Sequence, residues 1–173
     1  MRQGSWPRSA FPNLTYGDNQ NHRVTSSWTT RYNCIAWAAD EIAAPWWPTR
    51  YAYWPPGIPM MATSGAFILA FATKGYVQCT DGSLQPRLEK VAIYVDSNDV
   101  PQHAARQLRN GKWTSKLGDY EDITHHDLLD VADGPPPDGY GRPKYYLQRR
   151  RRFRNTVRRW ILWLRIEVWE RRP

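Results

Sequence analysis

The sequence is poor in cysteine and has no long apolar segment. Its 173 residues include two cysteines, Cys34 and Cys79. No run of about 18 apolar residues occurs, so a transmembrane helix is not expected. The N-terminal stretch "MRQGSWPRSAFPNLTYGDNQ" lacks the apolar core of a secretory signal peptide. We therefore expect a cytoplasmic protein in which both thiols stay reduced and unpaired.

The usual patterns of metal-binding residues are also absent. The cysteines lie far apart, and no C-x-x-C or H-x-x-x-H spacing links them to the histidines. The H-x-E and P-C-x-x-C pair of the zinc-dependent nucleobase deaminases does not occur. We therefore expect neither a metal ion nor another cofactor, and we interpret Cys79 as a packed side chain at the end of a strand.

The excess of positive charge is confined to the C-terminus. Residues 149–173 hold ten arginines and two glutamates, which accounts for the whole formal net charge of +8. The remainder is neutral, so the pI of about 9.7 does not indicate that the main part of the chain binds nucleic acid. The basic tail contains these candidates for polyanion binding: Arg149, Arg150, Arg151, Arg152, Arg154, Arg158 and Arg159.

The tail "RRRRFRNTVRRWILWLRIEVWERRP" predicts a partly amphipathic, basic helix. Arginine alternating with tryptophan is typical of segments that bind anionic membrane surfaces. The same composition is typical of segments that bind nucleic-acid phosphates and stack on bases. A third interpretation is that the tail packs on the rest of the protein or on a partner.

Two short helices are predicted in the first half of the chain. One spans residues 34–43, with Asn33 as the N-cap. The other lies within "MMATSGAFILAFATKG", residues 60–75, with Thr63 or Ser64 as the cap. Between them, residues 45–59 form a loop rich in proline and aromatic residues.

Strands are predicted after the second helix, at "YVQCT", "EKVAIYV" and "HAARQL". Asn110-Gly111 predicts a hairpin with a two-residue loop. "GPPPDGYG", residues 134–141, looks like the end of the compact part. The expected architecture is α+β, with N-terminal helices packed on a small antiparallel sheet in a domain over 1–145, followed by a basic C-terminal helix in a tail over 146–173.

Cys34 stands where a cysteine nucleophile would be activated. A reactive cysteine works as its thiolate, which a helix N-terminus and a neighbouring imidazole both stabilise. The unpaired amides of the first turn would also supply donors to an oxyanion. His103, at the start of the strand "HAARQL", is the histidine we favour as the base. The alternative is that Cys34 is a packed, unreactive side chain.

The order of cysteine helix, histidine strand and polar strand resembles the papain-like cysteine peptidases. "NCIAWAA" resembles the start of their cysteine helix, and "NGKWTSKLG" resembles the strand with the third group. The resemblance implies a papain-like fold, a Cys34 nucleophile and a His103 base. Trp28 occupies the position where that family commonly has the glutamine of the oxyanion hole, so Asn33 or backbone amides are the candidates for this role.

The third member of the triad depends on the hairpin register. A two-residue loop at Asn110-Gly111 would put Ser115 on the face opposite His103, which favours Asp119 or Asp122 as the group that orients the imidazole. We favour Asp122. Ser115 takes this role if the turn contains an extra residue, and His125 is a further candidate beside the site.

The aromatic side chains near the cysteine helix have two interpretations. They line a substrate groove, or they close the core and hydrogen-bond through their ring nitrogens. The two interpretations are compatible if one side of each ring packs in the core and the other is exposed to solvent. The candidates for the groove are Trp37, Trp46, Trp47 and Trp54.

The motifs "NCIAWAA", "EKVAIY", "HAARQL", "WTSKLG" and "EDITH" also resemble an uncharacterised bacterial domain family over about residues 10–145. That resemblance implies no activity. The expected function is a cysteine hydrolase or amidase that acts on a peptide, isopeptide or side-chain amide. The alternative is an inactive interaction module that binds a protein partner, an anionic membrane or nucleic acid through the aromatic groove and the tail.

Overall fold

A seven-stranded antiparallel sheet dominates the fold. The structure is a computed structural model that describes residues 6–133 and 140–151. The strands lie in the order β1-β6-β5-β4-β3-β7-β2. The helices and strands are α1 (Cys34–Ala38), α2 (Ser64–Ala72), β1 (His22–Val24), β2 (Val77–Cys79), β3 (Leu88–Val95), β4 (Pro101–Gln107), β5 (Trp113–Lys116), β6 (Asp122–His125) and β7 (Arg142–Arg150).

Both faces of the sheet are covered, and each has its own core. Alternate residues of a strand point to opposite faces. In β3, Val91 and Ile93 pack with the two helices and the aromatic loop, whereas Ala92 and Tyr94 pack with the N-terminal segment. We call these the helix face and the N-terminal face. The predicted combination of helices with an antiparallel sheet is confirmed, although strands predominate.

Helix α1 begins where the sequence predicts but ends early. The Asn33 side chain accepts a hydrogen bond from the Ala36 amide, as expected of an N-cap. The helix ends at Ala38 instead of residue 43 because Asp40 adopts a left-handed conformation, with φ of +66°. Such a residue ends a helix without need of a proline.

Helix α2 and the predicted strands agree with the structure. Thr63 caps α2 through a bond from the Ala66 amide, and Gly75 follows the helix with φ of +83°. β2, β3 and β4 lie in the three segments predicted as strands. In the described residues, no helix is long and apolar enough to cross a membrane.

The hairpin between β4 and β5 has a three-residue loop, not the predicted two-residue loop. The Leu108 amide donates to the Lys112 carbonyl, which leaves residues 109–111 outside the ladder. Gly111 takes φ of +83°, as the last residue of such a loop requires. The Asn-Gly pair marks the turn correctly, but the loop begins one residue earlier.

Because of the extra loop residue, each side chain of β5 lies on the face of the sheet opposite to the one predicted. Gln107 pairs with Trp113 and Arg106 with Thr114. A shift of one residue exchanges the faces of a strand. Ser115 therefore lies on the same face as His103, which is the alternative that the sequence left open.

β7 extends the sheet past the predicted end of the compact domain. Arg142–Arg150 pairs with β3 on one side and β2 on the other, so it is an internal strand. The predicted boundary at residue 145 falls inside it, and residues 146–150 are strand instead of helix. The rest of the predicted tail helix, from residue 152, lies outside the described residues.

We expect Asn33→Ala to destabilise the protein by about 2 to 3 kcal/mol, because it removes an N-cap and two further bonds. Besides capping α1, the Asn33 amide group accepts from the Trp46 amide and donates to the Trp46 carbonyl. Chemical denaturation measures the loss. Thr63→Ala, which removes a cap alone, serves as the comparison and should cost about 1 kcal/mol or less. Equal losses would contradict the role of Asn33 in holding the aromatic loop.

Candidate functional site

Cys34 is buried at the first turn of α1, on the helix face. Its side chain is 7% exposed, and its Sγ lies 4.0 Å from the Gln102 carbonyl oxygen of β4. Burial raises the pKa of the thiol to about 11, although backbone amides and Lys116 oppose this shift. The thiolate is therefore scarce at neutral pH, which is the reverse of what a nucleophile needs.

His103 lies on the N-terminal face, across β4 from Cys34. Its ring stacks on Tyr140 at 4.0 Å between centroids and meets the edge of Tyr94. Ala104, the next residue, packs with Cys34 in the core of the helix face. Successive side chains of a strand point to opposite faces, so the structure does not bring the predicted nucleophile and base together.

A buried hydrogen-bonded chain joins His103 to His125 through Ser115. The Ser115 Oγ lies 2.9 Å from Nε2 of each imidazole, and His125 Nδ1 lies 2.6 Å from the Asp127 carbonyl oxygen. A carbonyl accepts only, so His125 carries its proton on Nδ1 when neutral. Ser115 then donates to His125, and His103 donates to Ser115.

This order of donors leaves His103 Nδ1 as an acceptor, and it has no hydrogen-bond partner among the described residues. Burial, helped by His125, holds the pKa of His103 well below its ordinary value. Burial also lowers the pKa of His125 to about 4. Both histidine side chains are fully buried. The hydrogen bonds between His103, Ser115 and His125 therefore hold strands β4, β5 and β6 together while both imidazoles are neutral.

Asp122 lies on the helix face and does not contact His103. Its Oδ2 accepts a hydrogen bond of 2.6 Å from the Tyr32 hydroxyl, while Oδ1 is buried and has no partner among the described residues. Burial raises the pKa of this carboxyl group. The favoured third member of the triad thus lies on the same face as Cys34 but apart from the imidazole, whereas Ser115 contacts the imidazole on the other face.

The oxyanion candidates are occupied by structural contacts. Both polar atoms of the Asn33 side chain bind the backbone of α1 and of Trp46. Trp28 is 65% exposed. Asn33 therefore fixes the aromatic loop against the helix, and no side-chain oxyanion donor is positioned at Cys34 by the described residues.

The predicted groove tryptophans close the core. Trp46 and Trp54 are buried, and Trp47 packs its edge on Phe67 of α2. The Trp37 indole donates to the Thr114 hydroxyl of β5 at 3.1 Å. These rings hold the aromatic loop and helices on the sheet, and the structure gives them packing roles.

A group of arginines surrounds a cavity at one edge of the sheet. β3 begins there and β7 ends there, since Leu88 pairs with Arg150, and the β4–β5 hairpin turns beside them. The cavity has a volume of about 680 Å³. We call it the arginine site, and its described lining residues are Pro86, Arg87, Leu88, Arg109, Arg150 and Arg151.

The arginines predicted to bind polyanions divide into two groups. Arg149 is buried, bound to the Glu89 carboxylate at 2.7 Å and stacked on Tyr76, so it is structural. Arg150 and Arg151 belong to the arginine site. The remaining candidates lie outside the described residues: Arg152, Arg154, Arg158 and Arg159.

Arg87 and Arg109 were missed by sequence reasoning. Arg87 is a single arginine in a neutral stretch before "LEK", and Arg109 stands before "NGK" in a stretch that the sequence assigns to a strand and its turn. The strands bring them beside Arg150 only when the sheet forms.

In the described residues, no group of three metal-ligating side chains occurs, and Cys79 is half-buried at the edge strand β2.

We expect native Cys34 to resist alkylation. With Cys79→Ser to remove the second thiol, iodoacetamide at neutral pH should leave the folded protein almost unlabelled, because Cys34 is buried and its thiol pKa is raised. Mass spectrometry measures the label, and addition of denaturant should restore full reaction. Cys34→Ala, which keeps Cys79, is the matched control. Rapid labelling of Cys34 at or below neutral pH would contradict the buried thiol.

We also expect the protein to lose stability as the pH falls from about 6.5 towards about 4. The pKa values of His103 and His125 are lowered on folding, so the unfolded chain binds more protons in this interval. Each histidine should contribute about 1.4 kcal/mol per pH unit. Denaturant unfolding at several pH values measures how the free energy of unfolding changes with pH. His126→Gln, at an exposed histidine, should leave this dependence unchanged. A flat profile above pH 5 would contradict burial of neutral imidazoles.

Comparison with known proteins places the chain in a family without giving it an activity. No curated protein and no solved structure matches it. One family model matches residues 23–148, which includes every strand from β2 to β6 and nearly all of β7. The chain therefore belongs to the family described as a domain of unknown function, DUF7689.

Proposed function

We propose that this protein is a non-catalytic binding module that captures an anionic partner at the arginine site. The observation that carries the proposal is the gathering of four arginines around one cavity whose described lining contains no carboxylate. Like charges repel in a partly desolvated cavity, so such a cluster favours an anion. Guanidinium groups bind phosphate and carboxylate oxygens with paired, charge-assisted hydrogen bonds.

Two neighbouring buried arginines are paired with carboxylates, in contrast to those of the arginine site. Arg149 binds Glu89, and Arg106 lies 3.5 Å from both Glu89 and Asp40. Glu89 is thus already engaged by two cations. The arginine site, at the end of the same strands, is left without a carboxylate of its own among the described residues.

Three arginines of the site are available to a ligand. Arg87, Arg109 and Arg150 are exposed, and their guanidinium groups make no hydrogen bond or ion pair with a described residue. Each therefore keeps all its N–H donors for a ligand.

The fourth arginine is held in place by the sheet. Arg151 donates from its two terminal nitrogens to the carbonyls of Gln107 and Leu108, and its Nε is buried without a described partner. Burial lowers the pKa of Arg151, the charges of Arg109 and Arg106 add to this shift, and Glu89 and Tyr76 oppose it. A positive charge held in place at the cavity favours anion binding at small cost in side-chain entropy.

The cysteine hydrolase that the papain resemblance implied receives less support. Its nucleophile would be a buried thiol of raised pKa, and its base would be a fully buried imidazole on the opposite face of the sheet. General-base catalysis requires hydrogen-bond reach between the base and the proton it removes. Catalysis would require Cys34 and His103 to move together, whereas binding of an anion at the arginine site requires no movement of either residue.

The double variant Arg87→Gln/Arg150→Gln tests the proposal in the full chain. Elution from a heparin column at increasing NaCl measures affinity for a polyanion, and we expect the variant to elute at clearly lower salt than the native protein. Arg31→Gln/Arg50→Gln removes the same charge from exposed arginines elsewhere and is the matched control. Elution of both variants at the same salt would show that net charge, and not the arginine site, causes retention.

A further inference from the structure

A second cavity lies on the other side of the β4–β5 hairpin. Its volume is about 600 Å³, and its lining includes Arg23, Lys112 and His126, together with one carboxylate, Asp18. The Lys112 ammonium donates to His126 Nε2 at 2.9 Å. An ammonium has three donors, so two remain for a ligand beside the exposed imidazole.

The hairpin tip joins the two cavities. Arg109 lines the arginine site, whereas Asn110 and Lys112 line the second cavity. Three residues of chain span at most about 11 Å, so the backbones of Arg109 and Lys112 lie close together and the hairpin forms a narrow ridge between the two cavities. A single phosphate or carboxylate group fills one cavity only, whereas an extended polyanion contacts both.

We propose that the anionic partner is a single-stranded nucleic acid that crosses this hairpin, with phosphates in the arginine site and in the second cavity. The inference rests on the proposed function and names its ligand. A single strand bends easily over a ridge and can turn a base into a recess, whereas duplex DNA is stiff over about 50 nm and keeps its bases stacked.

The chemistry of the walls also suits a nucleic acid. Pro86 and Leu88 give the arginine site an apolar wall against which a base can pack. The Asn110 amide and the His126 imidazole offer hydrogen bonds and a stacking surface to a base, as in other single-strand binding sites. Asp18 accepts hydrogen bonds from base amino groups or sugar hydroxyls and repels phosphate, so it restricts where the backbone passes.

A lipid surface fits this arrangement less well. Headgroups bind cations that project from the protein, together with aromatic rings at the interface. Here the cations line recesses on both sides of a ridge. Among the residues that the structure describes, the most exposed aromatic side chain, Tyr51, belongs to the aromatic loop that packs on the helix face.

Fluorescence anisotropy with the full chain and a labelled single-stranded DNA of about 12 nucleotides tests the inference. The variant Lys112→Gln/Arg23→Gln should raise Kd about tenfold, as expected for lost charge-assisted hydrogen bonds. The slope of log K against log salt should fall by about 0.7 for each phosphate contact removed. Arg31→Gln/Arg50→Gln should leave both the Kd and the salt slope nearly unchanged. Circular dichroism checks that each variant is folded.

The remaining outcomes separate this inference from the proposed function. If Arg87→Gln/Arg150→Gln weakens binding but Lys112→Gln/Arg23→Gln does not, the strand does not cross the hairpin, and the arginine site stands alone. Tighter binding to duplex DNA, or binding only to vesicles of phosphatidylcholine and phosphatidylserine, would overturn the single-strand inference while leaving an anionic partner. If no variant differs from the charge-matched control, both proposals are wrong.

Discussion

The buried carboxylate of Glu89 is the contact on which this end of the sheet depends. It binds Arg149 of β7, lies 3.5 Å from Arg106 of β4 and accepts a hydrogen bond from the Tyr76 hydroxyl. Burial alone would raise the pKa of Glu89, but these three partners together hold it below its ordinary value. Removal of one partner from a buried ion pair typically costs about 3 to 5 kcal/mol. The carboxylate therefore fixes three adjacent strands in register through charge as well as through backbone bonds.

The same contact bears on the charge of the neighbouring arginine site. β3 carries one carboxylate at this end, and two buried arginines already use it. The arginines just beyond the strand ends, Arg87 and Arg150, then have no carboxylate within their own cavity among the described residues. Because Arg87 and Arg150 are exposed, folding does not require that they be paired, and their position around one cavity is the basis of the proposed anion site.

Local signals in the sequence predicted the helices and three of the strands, and non-local pairing decided the rest. Asn33 and Thr63 act as caps through contacts within one turn, which a sequence can show. The segment "RPKYYLQRR" has too many basic residues to resemble an internal strand, and its burial depends on distant residues: Arg149 binds Glu89 of β3 and stacks on Tyr76, while Leu147 packs in the core of the helix face. Hydrophobic patterns identify strands whose burial comes from alternating apolar residues, and β7 buries an arginine as well.

The faces of the strands separate the candidate catalytic residues. The motif around Cys34 is local, and α1 does begin there. His103 alternates with Ala104 along β4 and so faces away from Cys34 with either loop length, whereas the added loop residue before Gly111 brought Ser115 to the face of His103. The histidines became neutral core groups in a hydrogen-bonded chain, while Cys34 became a packing residue. Because the residues with catalytic side chains hold the interior, the binding that we propose uses the cations at the strand ends and at the hairpin instead.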